Sequence, residues 1–168
     1  MKTKLSPAMT AILMGGLIAS TIDIGAASLI YHANPLGVLR AVASGLIGEH
    51  VRGSGLPGST LGMVLQWLMG LIIAAIYVLV SGKLGFLPQL NRWWAASGVA
   101  YGVMIYYVMN DVVVPLSAAP RPEVPPPFDW QLFVGNMLAM ILFGLIVAYS
   151  ARRFMPDAAP ALSEAGSV

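Results

Sequence analysis

Five polar side chains that could do chemistry lie inside stretches of this sequence that are otherwise apolar. They are two carboxyls and three amides, Asp23, Gln66, Asn110, Asp111 and Asn136. Polar groups are unfavourable in hydrocarbon, and an ionisable one there indicates a site for a proton, a cation or a small polar ligand. Asp23 is the first candidate for this role, because Asp111 lies nearer the end of its apolar stretch, where water can reach it.

The same five side chains also have a structural interpretation, in which they only hold helices together. A hydrogen bond between helices in a membrane contributes on the order of 1 kcal/mol. The two interpretations differ over Asp23→Asn, which is nearly isosteric. Helix association should tolerate that change, whereas a proton or cation site should lose its function.

The composition indicates which kind of structure carries these side chains. Hydrophobic residues make up 58% of the 168 residues and charged residues only 10%, which excludes an ordinary soluble domain. We predict an all-α integral membrane protein, a four-transmembrane-helix bundle that forms one domain over 1–155. Its spans are predicted at about 8–31, 59–81, 93–115 and 130–150. The first span is longer than the apolar core of a signal peptide, so it is kept as a membrane helix.

Small residues recur at every fourth position of each span, in the same row as a polar residue. Such a row lets two helices approach closely, and its polar member must face protein rather than lipid. The candidate packing residues of these rows are Gly15, Ala19, Gly62, Gly70, Gly98, Gly102 and Gly144. At the helical rise, Asp23, Gln66, Asn110 and Asn136 all lie about 8–12 Å below the outer surface. We therefore predict one polar layer, with Asp111 beside it.

The connector between spans one and two contains a predicted helix at about 35–48. Asn34 followed by Pro35 is typical of a helix start, and apolar residues then recur at helical spacing. They are Leu36, Leu39, Ala43, Leu46 and Ile47, with Arg40 and Ser44 expected on another face. The pattern favours an amphipathic helix on the periplasmic surface, followed by a turn-rich hinge over 53–58. An ordinary flexible loop is the alternative.

Composition also predicts the character of two further segments. Five prolines in the connector at 116–129 predict a semi-rigid outer strap, and Asp129 is placed to cap the last span. Residues 156–168 are rich in Ala, Ser and Gly, so we predict a disordered cytoplasmic tail.

The sequence provides no positive sign of an enzyme, so we predict none, with no catalytic residue, cofactor or metal site. There is no cysteine, and both histidines, His32 and His50, lie in the first connector rather than on a span, where a haem in a helix bundle would need them. Basic residues sit at span ends instead of forming one patch, which excludes a nucleic-acid surface. The expected partners are the lipid bilayer and either a homo-oligomer or a larger membrane complex.

Two stretches carry a resemblance to a known family. Residues 34–48 read NPLGVLRAVASGLIG, and residues 107–136 read YVMNDVVVPLSAAPRPEVPPPFDWQLFVGN. With the four-span layout and the long first outer loop, they resemble the YagU-like group of small bacterial inner-membrane proteins. The resemblance implies the fold and a location in the inner membrane, and it transfers no active site.

Two functions follow from these observations. The first is a non-enzymatic accessory or scaffolding component, alone or as an oligomer, which the glycine rows and short inner loops favour. The second is a small proton- or cation-linked channel or transporter of the pH-homeostasis type, which would use the Asp23 layer.

The distribution of Lys and Arg predicts that both termini are cytoplasmic, since six of these residues fall on that side and three on the other. Single cysteines replacing Ser54 and Ser163 test this orientation in intact cells. An impermeant thiol reagent should label position 54 and spare position 163. The reverse pattern would mean that the bundle is inverted.

Overall fold

Six helices make up the regular structure in a computed structural model that describes residues 5–119 and 127–155. They are α1 (Pro7–Ile30), α2 (Pro35–Ile47), α3 (Leu56–Lys83), α4 (Leu87–Arg92), α5 (Trp94–Leu116) and α6 (Trp130–Phe154). Four of them, α1, α3, α5 and α6, are long and apolar enough to cross a membrane. The predicted all-helical fold, with four spans and a short helix between the first two, is confirmed. Residues 120–126 of the predicted strap and the whole of the predicted tail lie outside the described residues.

Two helix starts follow the capping signals in the sequence. The Asn34 side chain accepts a 2.9 Å hydrogen bond from the Leu36 amide, and Pro35 needs no partner for its missing N–H. Asp129 Oδ1 accepts from the amides of Gln131 and Leu132, at 2.8 and 3.2 Å. These bonds satisfy amides that the first helical turn leaves free.

The first connector is more helical than predicted. A 3₁₀ turn occupies Glu49–Gly53, and α3 begins at Leu56 rather than at Ser59, so most of the expected hinge is absorbed into helices. Gly55 makes the remaining turn with a φ of 65°, which glycine adopts without strain. Pro57 then falls in the first turn of α3, where its missing N–H has no consequence.

Both middle spans contain a wider, π-helical turn. It covers Ile76–Val80 in α3 and Met109–Val113 in α5. In α5 this turn lies directly before Pro115, which has no N–H to donate to the carbonyl of Asp111, four residues earlier. The turn that carries Asn110 and Asp111 is therefore irregular.

Close backbone packing joins α5 to α6, α6 to α1, and α1 to α3. At the α5–α6 contact, a Cβ added to Gly98 would lie 2.9 Å from Leu145 Cα, and one added to Gly102 would strike the carbonyl oxygen of Met140. Gly144 packs reciprocally against the backbone of Gly98 and Gly102. Two helices this close have no room for any side chain at those positions.

Small residues also set the distance of α1 from its two neighbours. A Cβ on Gly15 would lie 3.1 Å from Ser150 Cβ in α6, and Ala19 is almost completely buried. Toward α3, a Cβ on Gly16 would lie 2.9 Å from Leu71 Cα, and Gly70 contacts the Ser20 hydroxyl. Helix α1 thus occupies the middle of the bundle, between α3 and α6.

Helix α2 packs on the beginning of α3 and is not a free surface helix. A Cβ on Gly62 would strike the carbonyl of Leu39, and Ser59 Oγ donates to the Leu36 carbonyl at 3.0 Å. Ser44, which was expected on a different face from the apolar residues of α2, is fully buried, and Leu39 and Ala43 are buried as well. The Ser44 hydroxyl donates to the Ala41 carbonyl at 2.7 Å, and that bond removes most of the penalty for burial.

The spans α3 and α5 are consecutive in the chain, yet they lack the close backbone packing of the other neighbouring pairs in the described residues. We call the side on which α1 ends and α2 lies the α2 end, and the other side the terminal end. Toward the terminal end, the rings of Tyr77 and Tyr101 meet with centroids 5.0 Å apart. At the α2 end, Gly45 of α2 accepts a 2.8 Å hydrogen bond from the amide of Ala118, just beyond α5. Between these contacts α3 and α5 stand apart.

Replacing Gly102 with Ala should lower the free energy of unfolding by about 1–3 kcal/mol, because the added methyl would collide with backbone that cannot move aside alone. The measurement is thermal or denaturant unfolding in detergent. Gly25→Ala is the matched control, since nothing lies within 4 Å of a Cβ at Gly25, in the C-terminal half of α1. Equal stability of the two variants would contradict the α5–α6 packing.

Candidate functional site

The hydrogen bond between Asp23 and Gln66 is the centre of the candidate site. Gln66 Nε2 donates to Asp23 Oδ2 at 2.8 Å and so joins α1 to α3. Ala19 and Gly70, each four residues away, lie on the same helix faces and are buried. Because the small residues bring the two backbones close, these two side chains can reach each other.

All four spans contribute to a small chamber beside this pair. The chamber has a volume of about 50 Å³ and is lined by Asp23, Gln66, Met69, Met109, Met140 and Phe143, among others. One water molecule requires roughly 10–15 Å³ measured in this way, so the chamber is large enough for water or a small cation. Its walls are apolar apart from the carboxyl and the amide.

The other three predicted site residues lie elsewhere. Asn110 is exposed and its amide donates to the Tyr106 carbonyl of its own helix at 2.8 Å. Asp111 is also exposed. Asn136 donates to the Leu132 carbonyl at 2.8 Å and to the Tyr31 hydroxyl at 2.9 Å.

Among the described residues, the five candidates therefore do not share one hydrogen-bond network. Asp23 pairs with Gln66, while Asn136 pairs with Tyr31 at the end of α1. Equal depth along four helices does not determine how each helix is rotated about its axis. The rotation of α5 and its π-helical turn leave Asn110 and Asp111 on an exposed side.

A much larger cavity lies between α3 and α5, and we call it the cleft. Its volume is about 980 Å³, and α2 forms its wall at the α2 end, with Tyr31 contributing from the end of α1. Most of the lining is apolar, including Leu65, Leu68 and Ile72 of α3. Gln66, like Met69 and Met109, lines both the cleft and the chamber, so the Asp23–Gln66 pair lies beside the deep part of the cleft.

Hydroxyl groups that the sequence analysis did not single out join α3 to α5 toward the terminal end. The Tyr101 hydroxyl donates to the Ile73 carbonyl at 2.7 Å, and the Tyr77 hydroxyl lies 2.9 Å from Ser97 Oγ. Tyrosine is usual at membrane interfaces, but Tyr77 is almost fully buried. A tyrosine or serine well inside an apolar span is the signal that could have identified these contacts.

Two other hydroxyls belong to the α1–α3 contact. Thr21 Oγ1 accepts a 3.2 Å hydrogen bond from Trp67 Nε1, next to the Asp23–Gln66 pair in both helices. Ser20 is fully buried and its Oγ has no hydrogen-bond partner among the described residues. The α1–α3 contact therefore contains several polar groups in a short length of helix.

The described residues contain no group of three His, Cys, Asp or Glu side chains placed to bind a metal ion. His32 and His50 are both exposed, in the connectors on either side of α2. The chemistry that the site can support is hydrogen bonding and proton exchange at Asp23, together with binding of an apolar or amphipathic molecule in the cleft.

Comparison with known protein families, with curated proteins and with solved structures finds no match to this chain. The function must therefore be argued from the geometry of the chamber and the cleft.

Replacing Gln66 with Leu should destabilise the bundle more than replacing Asn110 with Leu, by about 1–2 kcal/mol. Gln66 bonds a carboxyl on another helix, whereas Asn110 bonds only its own backbone. Unfolding in detergent measures the difference. Adding Asp23→Leu to Gln66→Leu should be less damaging than the sum of the two changes, since both break one bond. Additive effects would show that the pair is not coupled.

Proposed function

We propose that this chain is a non-enzymatic accessory protein of a bacterial inner membrane, which acts by holding a guest molecule in the cleft between α3 and α5. The proposal rests on the cleft, which has a volume of about 980 Å³. Ligand sites in proteins usually measure roughly 300–1,000 Å³ and are mostly apolar, with a few polar groups that orient the ligand. The cleft matches this description in size and in lining.

The arrangement of the helices favours binding over passage across the membrane. The contacts of Tyr77 and Tyr101 tie α3 to α5 toward the terminal end. At the other end, α2 is anchored to α3 through Leu36 and Leu39, and to the chain after α5 through Gly45. A molecule bound in the cleft would thus lie between two helices whose separation is fixed at both ends of the cleft.

The family and the location belong to the same proposal. The resemblance of residues 34–48 and 107–136 to the YagU-like group, together with the positions of Lys and Arg, supports an inner-membrane protein with cytoplasmic termini. The Gly98–Gly102 row is occupied by α6 of the same chain. A homo-oligomer would therefore use another face, such as the exposed side of α1 that carries Met14, Ile18 and Ile22.

A photo-crosslinking amino acid at Leu65 tests whether the cleft holds a guest. Leu65 lines the cleft, whereas the neighbouring Val64 is exposed and is not among the residues that line the cleft, so it serves as the control. In native membranes, position 65 should give one adduct of discrete mass, and position 64 a mixture of bulk lipids. The same mixture at both positions would remove the proposal.

A second candidate function, proton- or cation-linked transport, is favoured by one specific observation. Asp23, the ionisable member of the pair, lines the chamber, and the chamber shares Gln66, Met69 and Met109 with the cleft. A carboxyl at the centre of four spans, close to a large opening, is the arrangement that proton-linked membrane proteins use.

Reconstituted vesicles separate the two functions. If Asp23 carries protons, the purified protein should dissipate a pH gradient and Asp23→Asn should abolish that activity. The variant keeps its shape, so its unfolding temperature in detergent should change little. Absence of proton flux in the unchanged protein, with guest binding at Leu65 retained, would leave the accessory function alone.

A further inference from the structure

Two arginines lie in the mostly apolar lining of the cleft. Arg40 on α2 and Arg52 in the 3₁₀ turn both line it. Within the part of the chain that the structure describes, neither guanidinium forms a hydrogen bond or an ion pair with the protein. A pair of uncompensated cations at one end of an apolar cavity defines an amphipathic site, in which charge is concentrated at the α2 end.

The deep part of the cleft lies at the level of the membrane interior. Leu68 and Ile72 are near the middle of α3, and both line the cleft while remaining about half exposed, at 51% and 52%. An apolar side chain that is exposed at mid-span meets acyl chains in a bilayer. The cleft is therefore accessible to lipid from the side.

Arg40 and Arg52 lie on the side of the membrane that is predicted to hold few basic residues. On the side that the Lys and Arg count makes the outer one, only three such residues occur, and Arg40 and Arg52 are two of them. Cations are disfavoured on that side, so a local role explains them better than the general distribution does. Phosphate is the group that Arg binds best, because its planar fork of donors matches the phosphate oxygens.

We propose that the cleft binds one anionic phospholipid, with an acyl chain between α3 and α5 and the phosphate at Arg40 and Arg52. This inference rests on the proposed function, since it names the guest that the cleft holds. The occupant is a membrane lipid rather than a soluble anion, because most of the lining beyond the arginines is apolar.

Native mass spectrometry of the purified protein, mixed with equal amounts of phosphatidylglycerol and chain-matched phosphatidylcholine, tests the assignment. The protein should retain one phosphatidylglycerol in preference to phosphatidylcholine by roughly 10- to 30-fold, the effect of two cations on a headgroup with a net negative charge, which phosphatidylcholine lacks. The double variant R40Q/R52Q should reduce this preference to nearly one. R92Q/R153Q is the control of equal charge at the terminal end, and it should keep the preference.

Two further variants test the cleft and the arginines separately. Ala41→Trp fills the cleft beside α2 and should reduce retention of both lipids, while leaving the arginines in place. If R40Q/R52Q does not fold, R52Q alone tests the same claim at an exposed position, with about a fivefold loss of preference expected. Millimolar inorganic phosphate should not displace the bound lipid.

Each of the other possible results of these experiments contradicts one part of the proposal. A preference that survives in R40Q/R52Q removes the arginines as the phosphate site. Equal retention of both lipids, sensitive to Ala41→Trp, means that the cleft holds a neutral lipid, so that the inference fails while the proposed function stands. Displacement by inorganic phosphate identifies a soluble anion instead. A second copy of the chain crosslinked at Leu65, with no lipid, makes the occupant a protein helix.

Discussion

Direct contact between helix backbones is the constraint on which this structure depends. Apolar side chains gain little by leaving lipid for protein, so helices in a membrane associate through close packing and hydrogen bonds. In this chain the close contacts are made at Gly98 and Gly102 against α6, at Gly16 and Gly70 between α1 and α3, and at Gly62 against α2. Without them the four spans would lack a fixed arrangement.

The polar features of the interior follow from this packing. Gln66 reaches Asp23 because Gly70, on the same side of α3, lets α1 come close. The helices α3 and α5 do not share such a close backbone contact. They meet instead through the long side chains of Tyr77 and Tyr101. Large rings keep two helices further apart than glycines do, and the cleft lies between the same two helices, on the α2 side of this contact.

The two proposals assign different tasks to the two parts of this interior. The cleft, with arginines at one end and leucines along its depth, is suited to a guest that is itself charged at one end and apolar at the other. The Asp23–Gln66 pair beside it stabilises the frame and also contains the ionisable group that a proton-linked function would need. Binding of a ligand in the cleft and protonation of Asp23 can be measured independently.

The sequence was sufficient to predict the class of protein, the number of spans, the helix that starts at Pro35 and the caps at Asn34 and Asp129. These features depend on hydrophobic length and on local hydrogen bonds, which a continuous stretch of chain specifies. The folded structure was needed to show that Asp23 meets Gln66 whereas Asn110 does not, that Ser44 is buried, and that a cleft lies between α3 and α5. Those outcomes depend on the order in which the spans pack and on the rotation of each helix about its axis. Rows of small residues, which occur on every span, are compatible with more than one such arrangement.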